Sequence, residues 1–462
     1  AASIKAYLYR DPRTTPQLSF SVRKLNAYMG IVITASHNPP EYNGYKVYGQ
    51  DGAQLNLQDA DTVIEYVKKA GDALSIKNNE INEDLIVYLD ESMDSSYIDA
   101  LKTVQENPEL ALKTDLKVVF TPLHGASGKT TKRILTEAGY QHIFYVDEQM
   151  EPNGEFPTVA SPNPEEESAF EYAIRYGEQY EADILIAVDP DGDRVGAAVK
   201  TKNGYKLLTG NQTGAILIEY LLMMRKEKGT MPAKGRVFKT IVTSDLGRVI
   251  AEYHGASTED VLTGFKFIGE KIKHYEETNE YEFLFGYEES YGYLVKDFAR
   301  DKDAIQSVLA LVEAAAYYKQ KGLTLVDVLN SLYERHGYYL EGLVSVTKKG
   351  VSGAKAIANL LEQIRVNPIT EVAGIEVLSQ EDYLSSVRTF TDGREQEKIL
   401  LPSSNVLKYF LADGSWVCVR PSGTEPKIKY YFGVTSDSAE ESQKKLEAIK
   451  ESFTGSLNQY LE

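Results

Sequence analysis

The sequence predicts an α/β protein, built of repeated α/β units followed by a smaller α+β domain. The chain has 462 residues, room for about three domains at roughly 150 residues each, and its 42% apolar content can fill several cores. Short β-rich runs alternate with amphipathic helices, the pattern of sheets whose faces are covered by helices. From residue 338 onward that alternation gives way to longer runs of strand-like sequence.

The first block, 1–110, contains "GIVITA" at 30–35, a buried strand running into the polar turn "SHNPPEYNG". "YKVYGQDG" and a helix candidate, "DADTVIEYVKKAGDAL", follow. In the second block, 111–232, "LKVVFTPLHG" is a strand and turn and 164–180 a helix. "ADILIAVDPDGDRVGAAV" reads as strand, acidic turn, strand. The third, 233–337, runs through the strand "RVFKTIVTS", the helix "DLGRVIAEYHG", the loop and helix "TGFKFIGEKIKHY" and the hairpin "YEFLFGYEESYGYL". The last, 338–462, has the strand "YLEGLVSVT", a helix at 353–365, the strands "SWVCVRPS" and "KIKYYFGV", and a helix at 437–452.

Composition narrows the function. Fifty Lys and Arg against 68 Asp and Glu leave a net charge of -18. That field argues against nucleic-acid and anionic-membrane partners while allowing a focused anion cleft. A single cysteine, Cys418, excludes a disulfide framework and a Cys-rich metal site and fits a cytoplasmic location. The most apolar segments, "GAILIEYLLMM" and "SVLALVEAAAYY", carry Glu219 and Glu313 and read as buried helices rather than membrane spans. The opening "AASIKAYLYRDPRTTP" has neither an initiating Met nor signal-peptide character, so a missing front segment is expected.

Four loops carry chemistry, each at the end of a strand. "TASHNPPEYNGYKV" at 34–47 presents Ser36 as a nucleophile. His37 and Lys46 stand beside it to exchange protons or neutralise phosphate oxygens. Taken alone, this loop would read as a turn shaped by Ser36, Asn38 and Pro39. "DPDGDR" places Asp189, Asp191 and Asp193 at alternate positions around a turn glycine, a set able to hold one hard divalent cation, with the Ser36 oxygen as a further ligand. Arg194 adds positive charge. Mg²⁺ and Mn²⁺ both suit such oxygens, and the spacing is not that of an EF-hand. "GYEESYG" offers Glu288 and Ser290 to sugar hydroxyls. "RPSGTEPKIK" groups Arg420, Ser422, Gly423, Thr424 and Lys429 as a cradle for a phosphate that does not react. It is not a Walker A loop, and no dinucleotide fingerprint occurs.

"TASHNP", "DPDGDR", "TGFKFIG", "GYEESYG" and "RPSGTEPK", in that order over nearly the whole chain, resemble the α-D-phosphohexomutase family, above all its phosphoglucomutase and phosphopentomutase-like branch. The resemblance implies three related α/β domains, here with the first incomplete at its N-terminus, plus a smaller α+β C-terminal domain around a central cleft. It makes Ser36 the phosphoserine and Asp189, Asp191 and Asp193 the Mg²⁺ ligands. It sets His37 and Lys46 next to the reacting groups, Lys46 as the candidate general acid/base with positioning or phosphate stabilisation as the alternative. Lys302 in "RDKDA" matches a further active-site lysine, and Thr263, Gly264 and Lys266 a recognition loop. It implies exchange of glucose 1-phosphate and glucose 6-phosphate through bound glucose 1,6-bisphosphate, which also serves as activator.

The sequence "ESYG", where phosphomannomutase relatives carry an "SGH" type, favours glucose over mannose. Phosphopentomutase and phosphomannomutase activities are the enzymatic alternatives, and a phosphatase is disfavoured by the distal phosphate loop. A sugar-phosphate sensor without turnover is the alternative from another class. A small-molecule sugar phosphate is the expected partner, with the chain a monomer or weak homodimer.

Overall fold

Five consecutive buried residues, Ile184–Val188, form the middle strand of a five-stranded sheet in the computed structural model. Such a run has no solvated face, as expected where helices cover both sides. The structure describes residues 4–72, 75, 82–348, 350–422 and 427–458. Strands Ile143–Tyr145, Val118–Thr121 and Ile184–Val188 lie parallel in that sheet order. Val195–Thr201 and Gly204–Leu207 then extend it antiparallel. The register Val188↔Val195 makes "DPDGDR" the turn of a tight hairpin at the strand's C-terminal end, where open α/β sheets place ligand sites.

A second sheet repeats this plan. Ser257–Val261, Gly235–Thr240 and Glu282–Glu288 are parallel, and Gly292–Leu294 returns antiparallel, so Glu288 also stands at a hairpin turn. Helices Gly210–Glu227 and Ala304–Gln320 are buried along most of their length, as the sequence predicts. Their buried acids are paired. The Glu219 carboxylate meets His254 Nε2 at 2.8 Å, and Glu313 accepts from Tyr220 Oη at 2.8 Å and from the Glu106 amide at 2.8 Å. Among the described residues no helix is long and apolar enough to cross a membrane.

The serine motif joins Met29–Ile33 to Tyr45–Gly49 in an antiparallel hairpin. The strand expected at 30–35 ends at Ile33 because Thr34 turns its hydroxyl onto the Ser36 amide, 2.8 Å away, and closes the corner. Helix Thr15–Lys24 precedes the hairpin, capped by the Thr14 hydroxyl on the Gln17 amide. Helix Leu57–Ala70 has no buried residue, and Tyr45, Tyr66 and Val67 are exposed. The strand expected to be buried instead exposes Ile31 and Ile33, because the hairpin is a two-stranded sheet of its own rather than the middle of a larger one.

Residues Ala1–Thr240 and Ile250–Leu329 form one unit of the chain, and Ile241–Val249 with Asn330–Glu462 form the other. In the latter, strands Leu340–Thr347, Lys427–Val434, Trp416–Pro421, Leu407–Leu411, Ile375–Asp382, Val387–Phe390 and Glu397–Lys398 lie antiparallel in that order. Helices Gly350–Val366 and Ala439–Asn458 pack Leu360, Leu361, Ile364, Ile449 and Phe453 against Val417, Val419, Ile428 and Phe432. This is the α+β domain the sequence predicts.

Candidate active site

The site begins with an unusual backbone. Ser36 has φ +55°, a left-handed conformation that costs a non-glycine residue about 1–3 kcal/mol and persists where the surroundings enforce it. Here the Thr34 hydroxyl holds the amide, and the Ser36 hydroxyl faces two partners, His37 Nδ1 at 3.2 Å and Asp189 Oδ2 at 3.3 Å. Burial, then the nearby Arg194 cation, push the His37 imidazole down to about 4. The ring is neutral at pH 7 and a weak base there.

The acidic turn is fixed from all sides. The Asp193 and Arg194 amides both donate to Asp189 Oδ1, at 3.0 and 2.9 Å. The Thr15 amide donates to the Asp191 carbonyl at 2.8 Å, the Ala126 amide to the Pro190 carbonyl at 2.8 Å, and the Ala304 amide to the Gly192 carbonyl at 3.1 Å. Gly192 has φ +73°, and a Cβ there would lie 2.5 Å from Thr14 Cγ2, so only glycine fits. One carboxylate oxygen from each of Asp189, Asp191 and Asp193 lies within 4.8 Å of the others. Asp191 Oδ1 and Asp193 Oδ1 are buried with no hydrogen-bond partner. Unfilled buried acceptors are costly, and these belong to carboxylates gathered closely enough to share a hard cation. The residues present fit a divalent metal.

Three cations answer the three carboxylates. Lys46, opposite Val32 in the serine hairpin, places Nζ 2.9 Å from both Asp191 Oδ2 and Asp193 Oδ2. Burial works to lower its pKa, but Asp191, Asp193 and Asp301 prevail and hold it well above the usual lysine value. Lys302 Nζ lies 3.2 Å from Asp193 Oδ2 and 3.3 Å from Asp301 Oδ1. Burial is again outweighed by these two acids, which raise its pKa. Arg194 donates to Glu165 Oε1 at 2.6 Å and stands 3.8 Å from Asp193 Oδ1. Burial raises the Asp189 carboxyl well above the usual range, helped by Asp191 and Asp193. Asp193 is driven the opposite way. Burial would raise it too, but Lys302, Lys46 and Arg194 hold it below the usual range.

Glu288, 7% exposed, accepts a hydrogen bond from the Gly264 amide at 2.7 Å. This contact joins the two predicted sugar-recognition loops. Gly264 has φ +115° at the start of helix Phe265–Thr278, a conformation glycine supplies. Thr263 and Ser290 are half-buried beside them. The Lys266 ammonium lies 5.4 Å over the Phe267 ring. In the C-terminal unit Arg420 and Lys429 are direct cross-strand partners, so two cations project from one face of the sheet. The Ser422 amide donates to the Lys427 carbonyl at 2.7 Å. Gly423 and Thr424 lie outside the described residues.

Sequence reasoning missed Asp301, Tyr48, Glu165 and Thr15. Only Asp301 carried a signal, its place beside Lys302 in "RDKDA".

Fold and site define a class, the multidomain α/β enzymes of phosphoryl transfer. Comparison with known proteins narrows it. Residues 1–73, 95–204 and 209–336 match the alpha/beta/alpha domains I, II and III of the phosphoglucomutase/phosphomannomutase type, and 363–450 match its C-terminal domain. The chain belongs to the phosphoglucomutase/phosphomannomutase family. It is 40% identical over 435 residues to a phosphoglucomutase of Staphylococcus epidermidis, covering 94% of this chain and 78% of the relative. Among solved structures it is similar to pp63/parafusin, a phosphoglucomutase from Paramecium in its open form. The TM-score is 0.68 at 18% identity, covering 98% of this chain and 83% of that one. Aspergillus fumigatus N-acetylphosphoglucosamine mutase, solved with GlcNAc-6P and magnesium, has a TM-score of 0.53 at 14% identity over 95% of this chain and 92% of its own.

Proposed function

We propose that the protein is a phosphoglucomutase that interconverts glucose 1-phosphate and glucose 6-phosphate through phosphorylated Ser36 and bound glucose 1,6-bisphosphate. One observation carries the reading: the Ser36 hydroxyl at the edge of the acidic turn, 3.3 Å from Asp189, in a chain 40% identical to a phosphoglucomutase.

In the first transfer the bond between phosphorus and Ser36 Oγ breaks as a bond to the free sugar hydroxyl forms. In the second, the other phosphate of the bisphosphate returns to Ser36, so no net phosphate reaches water. Asp189, Asp191 and Asp193, with the Ser36 oxygen, would hold one Mg²⁺, which when bound withdraws charge from the transferring group. Lys46 keeps a proton at Nζ beside the acidic turn, and we assign it the proton exchange with the reacting oxygens. Glu288 and Ser290 orient the sugar hydroxyls, with Thr263, Gly264 and Lys266 beside them. Arg420, Ser422, Gly423, Thr424 and Lys429 take the phosphate that does not react. Lys302 and Arg194 supply fixed positive charge and need no reorganisation during transfer.

The test is the purified protein with Mg²⁺ and catalytic glucose 1,6-bisphosphate, offered glucose, mannose, ribose and deoxyribose 1-phosphates in parallel. Glucose 6-phosphate with little inorganic phosphate is the expected product. Dominant release of phosphate, or a preference for a pentose, refutes the proposal.

A further inference from the structure

We propose that Asp301, with Tyr48, is a positioning residue that sets where Lys302 stands in the phosphoryl-transfer site. The inference rests on the function proposed above and assigns a role to two residues outside the motifs.

Asp301 is 2% exposed and Tyr48 0%. Asp301 Oδ2 accepts from the Tyr48 hydroxyl at 2.6 Å, while Oδ1 accepts from the Lys302 amide at 2.8 Å and from its ammonium at 3.3 Å. The same ammonium reaches Asp193 Oδ2 at 3.2 Å, the oxygen that Lys46 Nζ meets at 2.9 Å. Tyr48 lies two residues beyond Lys46 on strand Tyr45–Gly49, so both side chains leave the same face. Contacts run from Tyr48 through Asp301, Lys302 and Asp193 to Lys46, and the strand backbone between Lys46 and Tyr48 closes the ring. That ring ties the serine hairpin to the acidic turn.

The ring is clamped from outside. The Arg300 amide donates to Ser19 Oγ at 2.8 Å, and that hydroxyl donates to the Gly52 carbonyl at 2.6 Å, fixing the backbone just before Asp301. On the far side the Lys302 stem runs against Gly292, where a Cβ would come within 2.0 Å of Lys302 Cδ. The stem is packed along Gly292, and the Asp301 carboxylate lies against its ammonium. An ammonium on a flexible four-carbon stem has little preferred direction of its own. A buried acid contacting both its backbone amide and its head group supplies one.

The test uses Asp301→Asn, which keeps the shape and removes the charge, and Tyr48→Phe, which removes one hydroxyl and stands in should Asp301→Asn not fold. Each is also made in a Lys302→Met background. A misplacement near 1 Å can lower turnover about 10²-fold, so kcat for glucose 1-phosphate should fall on the order of 10- to 100-fold while KM is retained. In the Lys302→Met background the same substitutions should have little further effect, because the group they position is gone. Wild-type kcat in both single variants, or losses that multiply fully in the doubles, overturns the proposal, since a merely structural defect would multiply. A crystal structure of either variant gives a readout independent of substrate. Lys302 Nζ should leave Asp193 Oδ2 by more than about 4 Å, the ion-pair limit, and an undisturbed pair overturns the proposal. Wild-type protein that turns over no glucose phosphate would refute the function instead, leaving the crystallographic result to decide this one.

Discussion

Gly125→Ala tests how tightly the acidic turn is held. Gly125 lies in the loop after strand Val118–Thr121 and carries no functional group. An ideal Cβ on it would stand 2.4 Å from Pro190 Cα, 2.5 Å from Pro190 O and 2.8 Å from Pro190 C. These are backbone atoms of the residue between Asp189 and Asp191, with no flexible side chain to yield. Reaching ordinary van der Waals contact requires a shift of about 1 Å in one loop or the other. The Ala126 amide, bonded to the Pro190 carbonyl at 2.8 Å, ties the two loops and transmits the shift. Mg²⁺ demands near-ideal octahedral geometry, and ligand distances tolerate only about 0.2 Å. Metal affinity, read by Mn²⁺ electron paramagnetic resonance or calorimetry, should therefore fall at least about tenfold, and kcat about 10²-fold. Gly154→Ala, where nothing lies within 4 Å of the added methyl, is the control. A Gly125→Ala protein with wild-type metal affinity would show that the turn is not held as described.

Other expectations follow from the same geometry. Ser36→Ala should lose the phosphate seen by intact-mass analysis of the wild type, and unchanged phosphorylation would remove Ser36 from the mechanism. Lys46→Ala should lower turnover about 10²- to 10⁴-fold if it carries the proton, while wild-type turnover would refute that role. Burial raises the carboxyl of Asp303, which caps helix Ala304–Gln320 and accepts from Tyr97 Oη at 2.7 Å, to about 6. Its unfolded value is about 3.9, so between these values the native state binds the extra proton and stability falls as pH rises from about 4 to 6. Asp303→Asn should flatten that part of the profile, by up to about 3 kcal/mol, and urea melts of the two proteins at pH 4 and pH 7 that differ equally would refute it.

The motifs were readable because each hairpin turn concentrates its chemistry in a few adjacent residues. Asp189, Asp191 and Asp193 stand at alternate positions in one six-residue turn, and the glycine needed at 192 stands among them. The two apolar runs at 214–224 and 307–318 declared their buried helices, and the acids inside them found partners. Helices Thr15–Lys24, Glu91–Lys102 and Gly128–Ala138 were not legible. Their sequences are rich in Ser, Thr and charged residues, so tertiary packing more than propensity settles them.

What the sequence determined by itself was the fold class and the turns on which the candidate groups stand, since strand-ending turns and buried runs are local properties. What only the tertiary structure decided was which charges face one another. Asp193 is held ionised by Lys46, 147 residues earlier in the chain, and by Lys302, more than a hundred residues later. Asp301 meets Tyr48 across 253 residues. Coulomb attraction and hydrogen bonding depend on separation in space, and burial strengthens both. No spacing along the chain encodes them.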